Sequence, residues 1–322
     1  MFVRILNQNK ALNQRKETAN KRLEEIRLKF DNNGDIFRDK PLSVFCAGSL
    51  ARKDVGKLSD LDLFILSGEE VSKRSRLEEV EILSAIIGLN RELGYKSFSN
   101  DGEYLKVYSE KDMIKALGAP RDDAENLFTA RMLLLLESCP VCNSSQYEQF
   151  LDETINHYFR DSRGRKSFRP LFLLNDILRW WRTVCLNYEL VRDEPGRPWR
   201  KKNINLKFSR MLTVFGTVLP LIAKPMKHAE DLREIAVLTP HERFARGLDV
   251  IGDESLKDDY RQFLSDYEKF LVWKEELGND PQISNEELDI QSRKTATNFS
   301  DFIYQVLSHD RVDPTLKKYL VL

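Results

Sequence analysis

Apolar and polar residues alternate between helical and strand-like patterns over the first third of the chain. Residues 7–30 and 69–93 carry apolar side chains at helical spacing. Residues 42–47 and 61–66 are short apolar runs closed by Gly-containing turns, which is typical of buried strands. Residues 103–108 alternate between apolar and polar side chains and predict a third strand. The predicted order is helix, strand, turn, strand, helix, strand.

The remainder of the chain is predicted to be helical. Apolar residues recur at helical spacing through segments 124–138, 147–159, 171–191, 206–223, 241–250 and 256–277. We therefore predict an α+β protein, in which a small mixed α/β domain over residues 1–140 precedes a larger all-helical domain over residues 141–322.

Composition is that of a globular protein. The 322 residues are 41% hydrophobic and 32% charged, and their mean hydropathy is -0.47. No run reaches the roughly 18 uninterrupted apolar residues of a membrane-spanning helix, and residues 1–10 lack the apolar stretch of a secretory signal. Four cysteines are too few for a disulfide scaffold. We expect a cytoplasmic protein without membrane association.

Charges are balanced overall but segregated along the chain. Residues 160–210 contain 14 Lys and Arg against 5 Asp and Glu, whereas residues 249–290 contain 13 Asp and Glu against 4 Lys and Arg. Such blocks are often solvated surfaces. The alternative is that the basic block faces a phosphorylated ligand.

Two short motifs carry the candidate chemistry. Gly48-Ser49 ends the first predicted strand, where a tight turn without a Cβ atom lets backbone N–H groups approach a phosphate. If the following residues are helical, those groups also lie at a helix N-terminus. Asp60 and Asp62, two residues apart on the second predicted strand, point to one face, and Leu61 points to the core.

Two adjacent carboxylates repel each other unless cations neutralise them. Hard oxygen ligands suit Mg²⁺, with the phosphates of a nucleotide completing the coordination shell. Paired ions can then stabilise the attacking and the leaving oxygen of an in-line displacement. Asp60 and Asp62 are therefore candidate metal ligands of a nucleotidyl-transfer site.

At these residues the chain resembles the DNA polymerase β nucleotidyltransferase superfamily, whose signature is Gly-Ser, a short spacer and Asp-x-Asp on the next strand. Eleven residues separate Gly48 from Asp60. Within the superfamily the chain is most similar to a bacterial branch related to the uridylyltransferase of nitrogen regulation, and that likeness extends over residues 123–131.

The resemblance implies an enzyme with two Mg²⁺ ions, for which Mn²⁺ can substitute, and a nucleoside triphosphate substrate. Asp60 and Asp62 would be catalytic metal ligands, and Gly48, Ser49, Arg52 and Ser59 would bind the nucleotide. Arg52 would either contact phosphate or fix the turn.

The resemblance also implies a third carboxylate on a later strand, which binds metal or accepts the proton of the acceptor. Glu103 is our first candidate and Asp101 the second. The family placement further suggests bacterial regulation, toxin–antitoxin modules or antiviral defence.

The basic block predicts a second binding surface. Arg179, Arg182, Lys202 and Lys207 are candidates for binding a triphosphate or the acceptor, but solvent contact or ion pairing explains them equally well. The acceptor hydroxyl is left open among a nucleic-acid 3′ end, another nucleotide and a protein side chain, with ATP or dATP as the favoured donor. The alternative function is a nucleotide sensor or scaffold without catalysis, which binds a cognate partner protein.

Cys139-Pro140-Val141-Cys142 has the spacing of a zinc-ligand pair, but no second pair and no nearby His accompany it. Two reduced thiols at a helix end are the simpler interpretation.

Overall fold

A computed structural model describes residues 1–37, 40–98, 102–165, 168–190, 192, 199–226, 228–279 and 286–320. Within them the strands are β1 Leu42–Cys46, β2 Leu63–Ser67, β3 Val107–Ser109 and β4 Cys139–Cys142. The α-helices are α1 Phe2–Asn7, α2 Lys10–Asn32, α3 Gly34–Phe37, α4 Gly48–Ala51, α5 Arg76–Glu92, α6 Glu110–Lys115, α7 Pro120–Ala124, α8 Leu127–Leu136, α9 Ser144–Phe159, α10 Leu171–Leu190, α11 Trp199–Asn205, α12 Met211–Ala223, α13 Ala229–Ala236, α14 Pro240–Ile251, α15 Lys257–Asn279, α16 Glu286–Leu307 and α17 Pro314–Tyr319.

The four strands form one mixed sheet in the order β3-β2-β1-β4. β1 pairs antiparallel with both β2 and β4, and β2 pairs parallel with β3. Every residue of β1 and β2 is buried, which is why both segments are continuous apolar runs rather than alternating ones. The predicted α+β class is confirmed.

Two apolar clusters cover the two faces of the sheet. Val44 and Ile65 lie in a cluster with Ile26 of α2 and Ile86 of α5. The opposite face carries aromatic residues, and Phe45 belongs to a larger cluster that also contains α8, α9 and the C-terminal helices. The core is therefore continuous from the sheet into the helical part, and the predicted boundary after residue 140 lies inside β4.

The N-terminal helices connect both parts. The amino group of Met1 forms a 2.6 Å ion pair with Asp249 of α14. Arg15 of α2 forms a 2.9 Å ion pair with Glu275 of α15 and donates to the carbonyl of Val55. These contacts hold the segment between β1 and β2 against the C-terminal helices.

One helical segment, Trp199–Ala223, is long and apolar enough to cross a membrane by length and composition. A π-helical turn, Leu206–Arg210, joins α11 and α12 within it. Because 67% of the apolar window is buried inside the protein, its apolar character is explained by core packing.

Three predicted elements differ from the structure. β2 begins at Leu63 rather than at residue 61. Its partner strand β1 ends at Cys46, which pairs with Leu63. Beyond that pair, the N–H of Ala47 donates to the carbonyl of Asp62 at 2.9 Å, and the chain then enters the Gly48 turn. β3 contains only Val107–Ser109, since Gly102, with a φ of +75°, starts a turn before it. Residues 139–142, expected at a helix end, form β4.

Candidate active site

The turn after β1 can be built only with glycine. Gly48 has a φ of +69°, in the left-handed region that disfavours other residues. A Cβ atom at this position would lie 2.6 Å from Oδ2 of Asp62. Both the backbone conformation and the contact with Asp62 therefore require glycine. α4 begins at Gly48 itself and has only four residues, so it is a single turn rather than the longer helix that would concentrate a dipole.

The two aspartates lie at the entrance to β2. Leu61 and Leu63 are buried, while Asp60 and Asp62 are exposed. Burial therefore alternates as predicted, but both aspartates precede β2 rather than lying on it, because the strand begins only at Leu63. Asp62 lines two cavities and keeps solvent access through them, although protein surrounds it. That surrounding protein raises the pKa of Asp62, and the charges of Asp60 and Glu137 raise it further.

A cavity of about 140 Å³, the smaller cavity, has walls from both parts of the chain. The Gly48 turn, Asp60 and Asp62 form one wall. Side chains of the helical part line the other; they include Lys201, Arg210 and Lys274.

Lys274 of α15 is one of these cations, and protein largely surrounds it. Burial lowers the pKa of its ammonium group to about 8, and the charges of Arg52, Lys201 and Arg210 lower it further against the opposing effect of Asp54. Crowded, partly desolvated cations destabilise one another until an anion enters. The smaller cavity is therefore suited to a polyphosphate.

A second cavity of about 300 Å³, the larger cavity, adjoins the first and shares Gly48, Asp62, Tyr188 and Arg210 with it. The rest of its wall is mainly apolar and aromatic and comes from β2, from Phe98, Tyr104 and Leu105, and from α8 and α10. Its size and lining are those of a site for a small organic molecule. Asp62 thus lies where a cationic and a largely apolar cavity meet.

Arg52 is held inside the protein. Its Nε donates to Asp54 at 3.1 Å and its Nη1 donates to Glu137 at 2.8 Å. Asp54 also accepts from the hydroxyl of Tyr267. The side chain is 5% exposed, and Arg52 also lines the smaller cavity, so phosphate contact and fixing the turn both stay predictions.

Glu137, which the sequence analysis missed, joins both parts of the site. It follows α8 and accepts hydrogen bonds from Arg52, from Arg210 and, at 3.1 Å, from Thr213. Burial opposes ionisation, but the charges of Arg210 and Arg52 outweigh it and hold the pKa of Glu137 below its ordinary value. No local spacing signals this residue, because its partners are far away in sequence.

The two predicted serines border the smaller cavity. Ser59 Oγ accepts from the Gly56 N–H at 2.9 Å, and the Ser49 carbonyl accepts from the Asp54 N–H at 3.0 Å. Both serines therefore stabilise the loop between the Gly48 turn and Asp60.

Glu103 lies in the exposed turn before β3 rather than on a strand. The neighbouring Tyr104, not Glu103, is among the residues that line the larger cavity. Asp101 lies outside the described residues.

The predicted basic candidates lie elsewhere. Arg179 pairs with Asp122 at 3.2 Å and Asp123 at 3.4 Å and stacks 3.6 Å from the Phe128 ring centroid. Arg182 is exposed. Burial, followed by the charge of Arg293, lowers the pKa of the half-buried Lys207.

Lys202 is also half-buried and is the chain neighbour of Lys201. Among the described residues, those lining the two cavities include none of Arg179, Arg182, Lys202 and Lys207.

The donor set is compatible with divalent ions bound together with a phosphate ligand. Asp60 and Asp62 supply hard oxygen ligands and line the smaller cavity together with Gly48. Within the described ranges, no group of three or more His, Cys, Asp or Glu side chains could hold a metal ion by itself. Further ligands would have to come from substrate or water.

Comparison with known proteins shows a likeness in the N-terminal part of the chain. Residues 31–115 match the family model described as nucleotidyltransferase domain. No curated protein matches the chain. The matched segment contains the Gly48 turn, Asp60 and Asp62, whereas Glu137, Lys201, Arg210 and Lys274 lie outside it. The segment 31–115 is therefore similar to nucleotidyltransferase domains of the polymerase β-like superfamily.

Proposed function

We propose that the chain transfers a nucleoside monophosphate from a nucleoside triphosphate to a hydroxyl group and releases pyrophosphate. One observation carries the proposal: Asp62 lies at the junction of two cavities, one of which has Lys201, Arg210 and Lys274 in the wall opposite the aspartates. In this proposal the part up to about residue 140 supplies the reacting centre and most of the wall of the larger cavity, and the helical part supplies Lys201, Arg210 and Lys274.

Asp60 and Asp62 would hold two Mg²⁺ ions, or Mn²⁺ in their place. When bound, such ions neutralise phosphate charge and orient an in-line displacement. The raised pKa of Asp62, caused first by burial and then by the charge of Asp60, fits this role, because a bound cation stabilises the charged carboxylate where protein has replaced water. Glu137 keeps Arg52 and Arg210 in place through its hydrogen bonds.

The triphosphate would lie in the smaller cavity. The Gly48 backbone approaches it from one side, since no Cβ atom blocks the turn. Lys201, Arg210 and Lys274 face it from the other side and stabilise the negative charge of the leaving pyrophosphate.

The larger cavity would receive the group that carries the attacking hydroxyl. An in-line displacement needs the attacking and leaving oxygens on opposite sides of the phosphorus atom. With the leaving group in the smaller cavity, the attack comes from the larger one. Its size and mostly apolar wall favour a nucleotide or another small molecule over a long nucleic-acid strand. Arg179, a candidate for binding such a strand, is engaged in ion pairs.

A nucleotide sensor without catalysis is the second candidate, and one observation favours it. Glu103 lies in an exposed turn, and the described residues contain no three-acid group that could hold a metal. A sensor would bind nucleoside triphosphates in the smaller cavity without releasing pyrophosphate.

The test offers the protein ATP, dATP and UTP separately with Mg²⁺, then adds nucleosides or short RNA as acceptors. UTP is included because residues 123–131 resemble the uridylyltransferase-related branch. We expect Mg²⁺-dependent pyrophosphate release and a product heavier than its acceptor by one nucleoside monophosphate. Triphosphate binding without any product supports the sensor, and product formation on RNA but on no small acceptor contradicts the assignment of the larger cavity.

A further inference from the structure

Two cysteines are opposite each other on β1 and on the neighbouring edge strand β4, close in sequence to the Gly48 turn. Cys46 ends β1 and Cys139 begins β4, and the two are direct partners in the antiparallel register. Such partners have Cα atoms roughly 4.5–5.5 Å apart, inside the roughly 4.4–6.8 Å range of disulfides. The backbone already holds the pair at a distance that a disulfide bond can bridge.

The two thiols have different surroundings. Cys46 is fully buried, whereas Cys139 is partly accessible. Nη2 of Arg27 donates to Sγ of Cys139 at 3.5 Å. A hydrogen bond from the Cys46 thiol lowers the pKa of Cys139, and the positive charges of Lys53 and Arg27 lower it further. Burial raises the pKa of Cys46.

The asymmetry gives each sulfur a chemical role. A thiolate that is accessible and stabilised by cations is the form that reacts with oxidants. A neighbouring thiol can then give up its proton, attack the oxidised sulfur and form a disulfide bond with it. The other cysteines provide contrast, because burial raises the pKa of Cys142 to about 12 and also raises that of Cys185.

We propose that Cys139 is a site of oxidation by hydroperoxides and that Cys46 resolves it to a Cys46–Cys139 disulfide. The Cys139 thiolate attacks one oxygen of hydrogen peroxide, the O–O bond breaks and hydroxide leaves, which gives a sulfenic acid; an organic hydroperoxide would release an alkoxide instead. The hydroxide takes up the proton that the Cys139 thiol had released and becomes water. The Cys46 sulfur then attacks the sulfenic sulfur as its thiol gives up its proton, the S–S bond forms, and the hydroxyl group leaves with that proton as a second water. The two thiols together lose two electrons, and one hydrogen peroxide is reduced to two water molecules.

The disulfide would form next to the candidate active site. Gly48 is two residues after Cys46, and Glu137 is two residues before Cys139. The bond would tie the strand that leads into the glycine turn to the segment that carries Glu137. The proposal itself requires only the pairing of β1 and β4 and is independent of the proposed function.

The test treats the reduced, full-length protein with hydrogen peroxide, blocks remaining thiols with N-ethylmaleimide and maps disulfides by peptide mass spectrometry. We expect the Cys46–Cys139 disulfide to be the main product, reversed by dithiothreitol. Peroxide should modify Cys139 about tenfold faster than Cys185. A main product at Cys142 or Cys185 would overturn the proposal.

Two kinds of control show whether the disulfide depends on the folded pairing of β1 and β4 or only on the general reactivity of thiols. In the Cys46→Ala variant, dimedone should trap a sulfenic acid at Cys139, whereas the Cys185→Ser variant should form the same disulfide as the wild type. The same treatment in guanidinium should abolish the preference for the Cys46–Cys139 pair. An unchanged preference in the denatured chain would contradict a site built by the β1–β4 register.

Discussion

The α-carbon of Gly48 packs against the carboxylate of Asp62, so closely that a Cβ atom would lie 2.6 Å from Oδ2. Two motifs that are fourteen positions apart in sequence are therefore parts of one site. The turn and the acid depend on each other, since any side chain at residue 48 displaces the carboxylate.

Gly48→Ala tests this contact. The left-handed backbone costs about 1–2 kcal/mol for alanine, and the clash adds displacement of Asp62. We expect a lower melting temperature and a large loss of pyrophosphate release, measured side by side.

Gly94→Ala is the matched control. Gly94 has a φ of +73°, but nothing lies within 4 Å of a Cβ atom there. It should show a similar backbone cost with activity unchanged. Equal activity losses in the two variants would show that the Asp62 contact does not matter.

Lys274 predicts a pH dependence of triphosphate binding. Because burial lowers the pKa of this ammonium group to about 8, it loses its proton as the pH rises through that value. A bound triphosphate favours the protonated form, so affinity should fall above about pH 8, and binding should take up protons there. Calorimetry in buffers of different ionisation enthalpy measures this uptake.

The Lys274→Met variant should bind triphosphate more weakly and lose that pH dependence. Lys269→Met is its control, because Lys269 lies on the same helix and pairs with Asp266 at 2.9 Å. The stability of the free protein should rise with pH between about 8 and 10.5, since the unfolded chain there binds more protons than the folded one. Identical binding profiles for wild type and Lys274→Met would contradict a phosphate ligand at this position.

Glu137→Gln tests the buried network that joins the two parts of the site. Removing this charge leaves Arg52 and Arg210 without their shared partner, and breaking a buried ion pair typically costs about 3–5 kcal/mol. We expect a marked loss of stability in denaturant titrations. Glu70→Gln, which removes an exposed pair with Lys115, should change stability little; a similar small change for Glu137→Gln would contradict the network.

Charge reversal at Arg179 and at Arg182 tests whether these arginines stabilise the fold or bind the triphosphate. Arg179→Glu places a carboxylate beside Asp122 and Asp123, so the melting temperature should fall. Arg182 is exposed and outside both cavities, so Arg182→Glu should leave stability and the KM for the triphosphate unchanged. A raised KM for Arg182→Glu would contradict this prediction and would show that the exposed basic surface takes part in triphosphate binding.

The sequence predicts that Gly48, Asp60 and Asp62 come together in one wall of the smaller cavity, because the signals for these residues are local. Gly48 follows an apolar run, and the alternation around Leu61 sets the side-chain directions of Asp60 and Asp62; both features need only neighbouring residues. The α+β class follows from the same periodicities.

The opposite wall has no local signal. Glu137 follows α8, Arg210 ends the π-helical turn before α12 and Lys274 lies on α15; the fold brings them together, and no spacing in the chain connects them. Arg179 was predicted to bind anions because its helix is basic, yet its partners Asp122 and Asp123 come from α7. A charge count along the chain does not reveal which charges are already paired.

Pyrophosphate release by Asp60→Asn and Asp62→Asn tests the account most directly, with Asp258→Asn as control because Asp258 is an exposed acid on α15. Loss of either ligand should lower turnover by at least about 100-fold, with the melting temperature unchanged or slightly raised by relief of the carboxylate repulsion. The wild type and Asp258→Asn should release pyrophosphate equally. Retention of more than about a tenth of the wild-type rate in either variant would contradict the assignment of Asp60 and Asp62 as metal ligands, because loss of a catalytic metal ligand should lower the rate much further.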